Sequence, residues 1–227
     1  MDTLFRERGI RQRTEIAIHT PGKKPMAVAG PAVGDALLGM LAEREIIYGG
    51  DHLVSSIDPA SRRIMFDGEE APYDLLVGVP PHKAPQVVID AGLTDSSGYI
   101  PVHPQTLEVL TDVENLETDY TGVYAIGDVT TITLLNMMPL PKAGVFAEAE
   151  ARVVAQNIAA DVAGKPGSVR YDGRGQCLVD IGGGLAAFAG GQFYASPGPR
   201  ITLEPPSTRY HQEKEEYERV LDTWFVR

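Results

Sequence analysis

Residues 122–160 read "GVYAIGDVTTITLLNMMPLPKAGVFAEAEARVVAQNIAA", and the reading of this stretch decides the fold. Its first seven residues, Gly122 to Asp128, are a short apolar run stopped by Gly127-Asp128, which predicts a buried strand ending in a tight turn. A loop follows. From Pro141 to Gly164 the chain is rich in alanine, opens on proline and closes on glycine, which predicts a long helix. Strand, loop and helix in direct succession are the unit from which α/β domains are assembled.

Toward the N-terminus the same alternation recurs. Thr14 to Thr20, "TEIAIHT", predicts a strand closed by Pro21-Gly22. Val33, Ala36, Leu37, Met40 and Leu41 then fall on one helical face, with Pro31 suited to the first turn. "EIIYGG" opens the next strand. Three β-type runs come after it, His52 to Ile57, Arg62 to Phe66 and Tyr73 to Val79, divided by turn signals at Asp58-Pro59 and Asp67-Gly68. This order suits the later half of a nucleotide-type α/β domain elaborated by an antiparallel ribbon. "PPHKAPQVV" and "DSSGYIPVHPQTLEV" carry too many prolines for long regular elements and mark a crossover.

Beyond Ser168 the pattern is again β-type, and the chain ends in a helix predicted to begin near Ser207. Tyr210, Tyr217, Leu221 and Trp224 fall on one side of that helix, while "EKEE" contributes to the other. "VDIGGGLAAFAGG", Val179 to Gly191, imitates a dinucleotide-binding glycine turn. Such a turn must open onto a helix whose N-terminus holds the pyrophosphate, yet Gly190-Gly191 arrives too soon for one. A hairpin between two strands is the better expectation for Gly182 to Gly184.

At 227 residues and 43% hydrophobic, the chain can bury a sizeable core. A net charge of −11 argues against a nucleic-acid partner, since no basic stripe is available to neutralise phosphates. Cys177 is the single cysteine, so neither an intrachain disulfide nor a four-cysteine zinc site can form, and a reducing, cytoplasmic setting is expected. The charged first residues lack a signal-peptide pattern, and no apolar run reaches spanning length, so membrane contact is expected to be peripheral at most, at an inner membrane face. The tail's Tyr217, Leu221, Trp224 and Phe225 would touch a bilayer only against the charge of Glu213, Glu215, Glu216 and Glu218, so subunit packing is the stronger expectation. His19, His52, His82, His103 and His211 are scattered without ligand spacing, and no metal site is expected.

The 122–160 stretch resembles the second FAD-contacting segment of the pyridine nucleotide-disulfide oxidoreductase superfamily, and in detail its sulfide:quinone oxidoreductase and flavocytochrome c sulfide dehydrogenase branch. "RERGIRQRTEIAIHTPGKKPMAVAGPAVGDALLGMLAEREIIY" is similar to that family's second nucleotide-type domain, "PYDLLVGVPPHKAP" to the strand returning to the flavin domain, and "SSGYIPVHPQTLEV" to the approach to the flavin aspartate. The resemblance implies an α/β fold: a partial Rossmann-like, three-layer domain followed by a small α+β C-terminal domain. Its division along the chain is 1–100 as the remainder of a second nucleotide-binding-type domain, 101–167 as the C-terminal segment of an FAD-binding domain, and 168–227 as an interface domain.

As the resemblance implies, Gly127 and Asp128 would serve FAD, the carboxylate taking a ribityl hydroxyl. Pro141, Lys142, Ala143 and Gly144 match the run that brings a helix N-terminus to the flavin's pyrimidine edge. Cys177 falls where the family carries a sulfur-handling cysteine, and a buried, inert strand cysteine stands as its alternative. The family's GxGxxG turn is absent, so the FAD site is expected to be incomplete in this chain, FAD binding weak or absent, and the chain alone inactive. The function implied is flavin-mediated electron transfer from a reduced sulfur compound or NAD(P)H to quinone or another acceptor. The partners are then a small-molecule donor and acceptor, with a second copy or a missing N-terminal half covering the remaining surface. The alternative is a truncated, flavin-free paralogue acting as an oligomerisation or interaction module.

Overall fold

The computed structural model describes residues 1–225. Helix α1 (Asp2–Glu7) opens the chain, followed by strand β1 (Ile16–His19), helix α2 (Pro31–Ala42) and strand β2 (Ile46–Gly49). Three short strands come next, β3 (Ser56–Asp58), β4 (Arg63–Met65) and β5 (Glu70–Pro72). The middle holds α3 (Gln86–Asp90), the two-residue strands β6 (Ile100–Pro101) and β7 (Thr130–Thr131), and the long α4 (Gly144–Val162). β8 (Arg174–Gly182), β9 (Leu185–Gln192), β10 (Arg200–Ser207) and α5 (Thr208–Phe225) complete the order. Helices and strands are thus interspersed along the chain, with runs of consecutive strands after β1–α2–β2 and after α4. Trp224 and Phe225, named above with the apolar side of the terminal helix, have side chains outside the described part.

Two compact units result. The first takes residues 1–80, 180–187 and 205–227, the second residues 81–179 and 188–204. In the first, β1 and β2 pair in parallel, Ile16 opposite Ile46 and His19 opposite Gly49. α2 connects them, with Pro31 in its first turn and Val33, Gly34 and Leu37 buried. The buried Arg11 ties this unit together. Its guanidinium donates to Asp2 Oδ1 at 2.7 Å, to the Thr14 carbonyl at 2.6 Å, and to the Arg44 and Glu45 carbonyls at 2.8 Å, so α1 is fastened to the end of α2.

The parallel register also brings together two histidines that the sequence separates by 33 residues. His19 Nδ1 and His52 Nδ1 lie 2.8 Å apart, and the Phe66 ring centroid is 4.7 Å from each imidazole. One hydrogen can sit between the two nitrogens. Burial, and then the charge of His52, hold His19 below its ordinary value of 6.5.

β3, β4 and β5 form the expected ribbon, but the third run is displaced. The strand is Glu70–Pro72 rather than Tyr73 to Val79, because the tight turn after Phe66 sets Met65 opposite Glu70 and Arg63 opposite Pro72. The ladder therefore ends at the bond from the Tyr73 amide to the Arg62 carbonyl. Leu75, Val77 and Val79 lie beyond it, 67%, 78% and 82% exposed.

In the second unit, "GVYAIGD" is extended but is not a strand of a sheet. Tyr124 makes a single bridge to Glu108, flanked by bonds from Val109 to Val123 and from Ala125 to Leu107. The left-handed backbone at Leu107 (φ +64°) prevents a longer ladder. α4 begins at Gly144, three residues after Pro141. Leu140 is held back by its amide bond to the Ile132 carbonyl and Thr133 bridges Pro139, so the proline belongs to a small hairpin and not to the helix.

α4 buries Phe146, Glu150, Val153, Val154 and Asn157, one stripe at helical spacing. Phe146 meets Phe193 edge to face at 5.0 Å, and any side chain at Gly175 would collide with the Phe146 ring. Asn157 exchanges two 3.0 Å bonds with the backbone of Val169, and Gly164 (φ +68°) ends the helix.

β8, β9 and β10 form a three-stranded sheet with β9 in the centre. Gly183 and Gly184 are the turn between β8 and β9, and with Gly182 they all have positive φ, +65° to +82°. No helix follows them. The triplet is a hairpin turn of the kind that puts both central residues at positive φ, which glycine adopts without strain. Ser207 caps α5, its hydroxyl accepting the Tyr210 amide at 3.3 Å.

Candidate functional site

Residues Gly127–Val129 form a single tight helical turn between the extended "GVYAI" segment and β7. Gly127 is left-handed (φ +70°), and a Cβ there would come within 3.1 Å of the Ala147 side chain on α4. Only glycine lets this turn lie against the helix. Its polar backbone is bound from several directions. Thr130 Oγ1 donates to the Gly127 carbonyl at 2.8 Å, and the Lys142 ammonium donates to the carbonyls of Asp128 at 2.8 Å and Thr130 at 2.5 Å. The Gly127 amide donates to Glu150 Oε2 at 2.6 Å.

Lys142 and Glu150 thus hold one turn with opposite charges. Lys142 also stands 3.7 Å above the centre of the Tyr99 ring. Burial lowers the ammonium below its ordinary value, opposed by Asp128 and Glu150. Glu150, 2% exposed, is pushed upward by burial, against the Gly127 amide and Lys142, which favour its charge.

With its backbone so engaged, the turn presents the Asp128 side chain outward. That carboxylate is exposed and makes no hydrogen bond or ion pair among the described residues. Opposite it, α4 starts on an extended Ala143 with no side-chain cap. The amides of Ala143, Gly144 and Val145 donate no hydrogen bond among the described residues, so the positive end of a 19-residue helix is open.

Gly127, Asp128, Pro141, Lys142 and Ala143 line one small hollow together with Thr130, Phe146 and Glu150. Asp128 and Lys142 also line an adjoining cavity of about 300 Å³ with His82, Lys83, Pro85 and Tyr99. The residues expected from the sequence around the turn and the helix start are thus neighbours in space. Cys177 is not among the lining residues. It sits half-buried on β8, where burial pushes its thiol up.

Nothing in the sequence placed Glu150, Tyr99 or Lys83 at this site, and His82 stood out there only as one of five scattered histidines. Glu150 alone carried a signal, an acid within the apolar stripe of α4. Among the described residues no group of three or more His, Cys, Asp or Glu side chains could hold a metal ion, and no helix is long and apolar enough to cross a membrane.

No family model matches the chain. The mitochondrial sulfide:quinone oxidoreductase of Mus musculus is 24% identical over 203 residues, which cover 86% of this chain and 42% of that protein. The Schizosaccharomyces pombe mitochondrial sulfide:quinone oxidoreductase is 26% identical over 197 residues, 83% of this chain and 39% of that protein. The chain therefore spans about two fifths of the length of these curated relatives. The crystal structure of the sulfide:quinone oxidoreductase from the bacterium Aquifex aeolicus superimposes with a TM-score of 0.78 at 22% identity, covering 96% of this chain and 52% of that one. An FAD-dependent pyridine nucleotide-disulfide oxidoreductase from Desulfovibrio vulgaris gives 0.51 at 20% identity, covering 78% and 42%. Sulfide:quinone oxidoreductases are thus among the homologues of this chain, and over most of its length it has the Rossmann-like fold of the FAD-dependent pyridine nucleotide-disulfide oxidoreductases.

Proposed function

We propose that this chain carries the flavin-contacting part of an FAD-dependent oxidoreductase of the sulfide:quinone oxidoreductase kind. One observation carries the reading: the exposed carboxylate-bearing Asp128 lines the same small hollow as Ala143, the residue from which an uncapped helix starts. A flavin needs an acceptor for its sugar-alcohol hydroxyls and donors for its pyrimidine edge. Asp128 offers the first, and the amides of Ala143, Gly144 and Val145 the second. The residues present therefore fit the flavin end of FAD. When bound, FAD would supply two-electron transfer between a reduced donor and an acceptor such as a quinone. The chain's own residues bind and orient. Lys142 holds the turn through its ammonium, and the helix end favours negative charge without needing a protonated side chain. A role for Cys177 in sulfur chemistry is part of the same proposal and follows from the resemblance.

The test is a titration of the purified chain with FAD and with riboflavin, followed by flavin absorbance and fluorescence. No glycine-rich turn for the pyrophosphate occurs in the sequence, so the two ligands should bind with similar, weak affinity. Asp128→Ala should weaken both about tenfold, the worth of one hydrogen bond to a charged group. Equal binding by wild type and D128A, or no binding of either flavin, would count against the reading. The second reading is a flavin-free interaction module, favoured by one observation: the exposed apolar run Leu75, Val77 and Val79, which would be covered by a second copy or another chain.

A further inference from the structure

Glu150 is anomalous within its element. The buried stripe of α4 is otherwise Phe146, Val153, Val154 and Asn157, and Asn157 has both ends of its amide satisfied by Val169. A carboxyl group placed there loses hydration, and an alanine or leucine would pack without that loss. What the position gains is the Gly127 amide. The first amide of a tight helical turn has no partner within the turn, and here its acceptor among the described residues is Glu150 Oε2 at 2.6 Å. The left-handed glycine, the 3.1 Å approach of Ala147 and this bond fix how the turn meets α4. Asp128 is the next residue, so the placement of its free carboxylate depends on the hold at Gly127.

We propose that Glu150 is the positioning residue of the flavin-contacting turn, holding the Gly127 amide so that the Asp128 carboxylate is presented to the cavity. The proposal rests on the flavin-site reading given above. Glutamine keeps an acceptor oxygen of the same reach, whereas leucine keeps only the volume, so the two substitutions separate the hydrogen bond from packing. The charged and titratable groups acting around Glu150 are Lys142 before α4, Asp128 in the turn, and Tyr171 and Tyr194 from the segments packed behind it. Burial is the largest influence and raises the carboxyl group above its ordinary 4.5, so the folded state takes up a proton that the unfolded chain has released. Stability conferred by this group therefore falls as pH rises from 4.5 toward the raised value. Glu150→Gln should remove that fall.

The experiment uses the full chain labelled with 15N-glycine, as wild type, E150Q and E150L. In wild type the Gly127 amide resonance should shift with pH above 4.5 and exchange slowly with solvent. E150Q should abolish the pH-dependent shift yet keep the slow exchange, and bind riboflavin within about threefold of wild type. E150L should lose both Gly127 signatures and bind riboflavin at least about tenfold more weakly. A wild-type Gly127 amide that exchanges freely with solvent overturns the proposal, and this measurement needs no variant to fold. Unchanged exchange at Gly127 in E150L, or unchanged riboflavin affinity, overturns it as well. If wild type binds no riboflavin, the flavin-site reading fails and the proposal as a flavin-positioning role fails with it. The Gly127 spectra then still report whether Glu150 holds the turn.

Discussion

At the scale of single residues, charge and burial decide what each side chain can do. Burial on its strand pushes the Cys177 thiol up, and no cation among the described residues offsets it by stabilising a thiolate. Its alkylation by iodoacetamide should be slow at pH 7 and accelerate as pH rises past the ordinary thiol range, and denaturant should speed it at neutral pH. Rapid alkylation of the folded chain at pH 7 would instead support the sulfur-handling role. Gly127 was legible as part of a Gly-Asp pair, but its reason for being glycine was not. Positive φ and the nearness of Ala147 supply that reason. Gly127→Ala should cost about 1–3 kcal/mol of stability in urea unfolding, from left-handed strain and forced displacement of the helix. Glu150 stood in plain view as a lone acid among apolar residues. Nothing local in the sequence said which amide, 23 residues upstream, it would meet.

At the scale of elements, the periodic signals were reliable and the boundaries were set by neighbours. α2 and α4 follow their apolar stripes, and proline and glycine mark their approximate ends. α4 nevertheless starts at Gly144, since hydrogen bonds of the Ile132–Leu140 hairpin hold Pro141 outside it. Tyr73 to Val79 has β-type composition but, beyond the Tyr73 amide, no strand partner among the described residues, because the register of β4 with β5 is spent by Pro72. The fastening of α1 to the end of α2 likewise lies outside any local pattern. Arg11 reaches Asp2, Thr14, Arg44 and Glu45 at once while almost wholly buried. Arg11→Ala should destabilise the chain by about 3 kcal/mol in urea or thermal unfolding, since the carbonyls of Thr14, Arg44 and Glu45 lose a donor together and the Asp2 carboxylate is left to Arg6 alone. A loss below about 1 kcal/mol would mean that water replaces the guanidinium without strain.

At the scale of the whole molecule, two compact units share the chain, and some surface is more apolar than a lone soluble chain usually leaves it. If Leu75, Val77 and Val79 meet a second copy, sedimentation should become faster with concentration, and Val77→Asp with Val79→Asp should leave a monomer whose thermal unfolding is unchanged. A wild type that remains monomeric at high concentration would remove the self-association reading.

The α/β class, the hairpin at Gly183-Gly184 and the succession of Gly127-Asp128 and a helix were all legible in the amino-acid order. Each of these is a local matter of period, turn chemistry and backbone freedom. Packing in three dimensions is what makes Lys142 and Glu150 clamp the same turn, brings His19 and His52 within hydrogen-bond distance, and leaves Cys177 lining neither cavity at the Asp128 site. Those outcomes depend on which distant segments lie side by side. Burial and Coulomb forces act through space, and spacing along the chain does not record them.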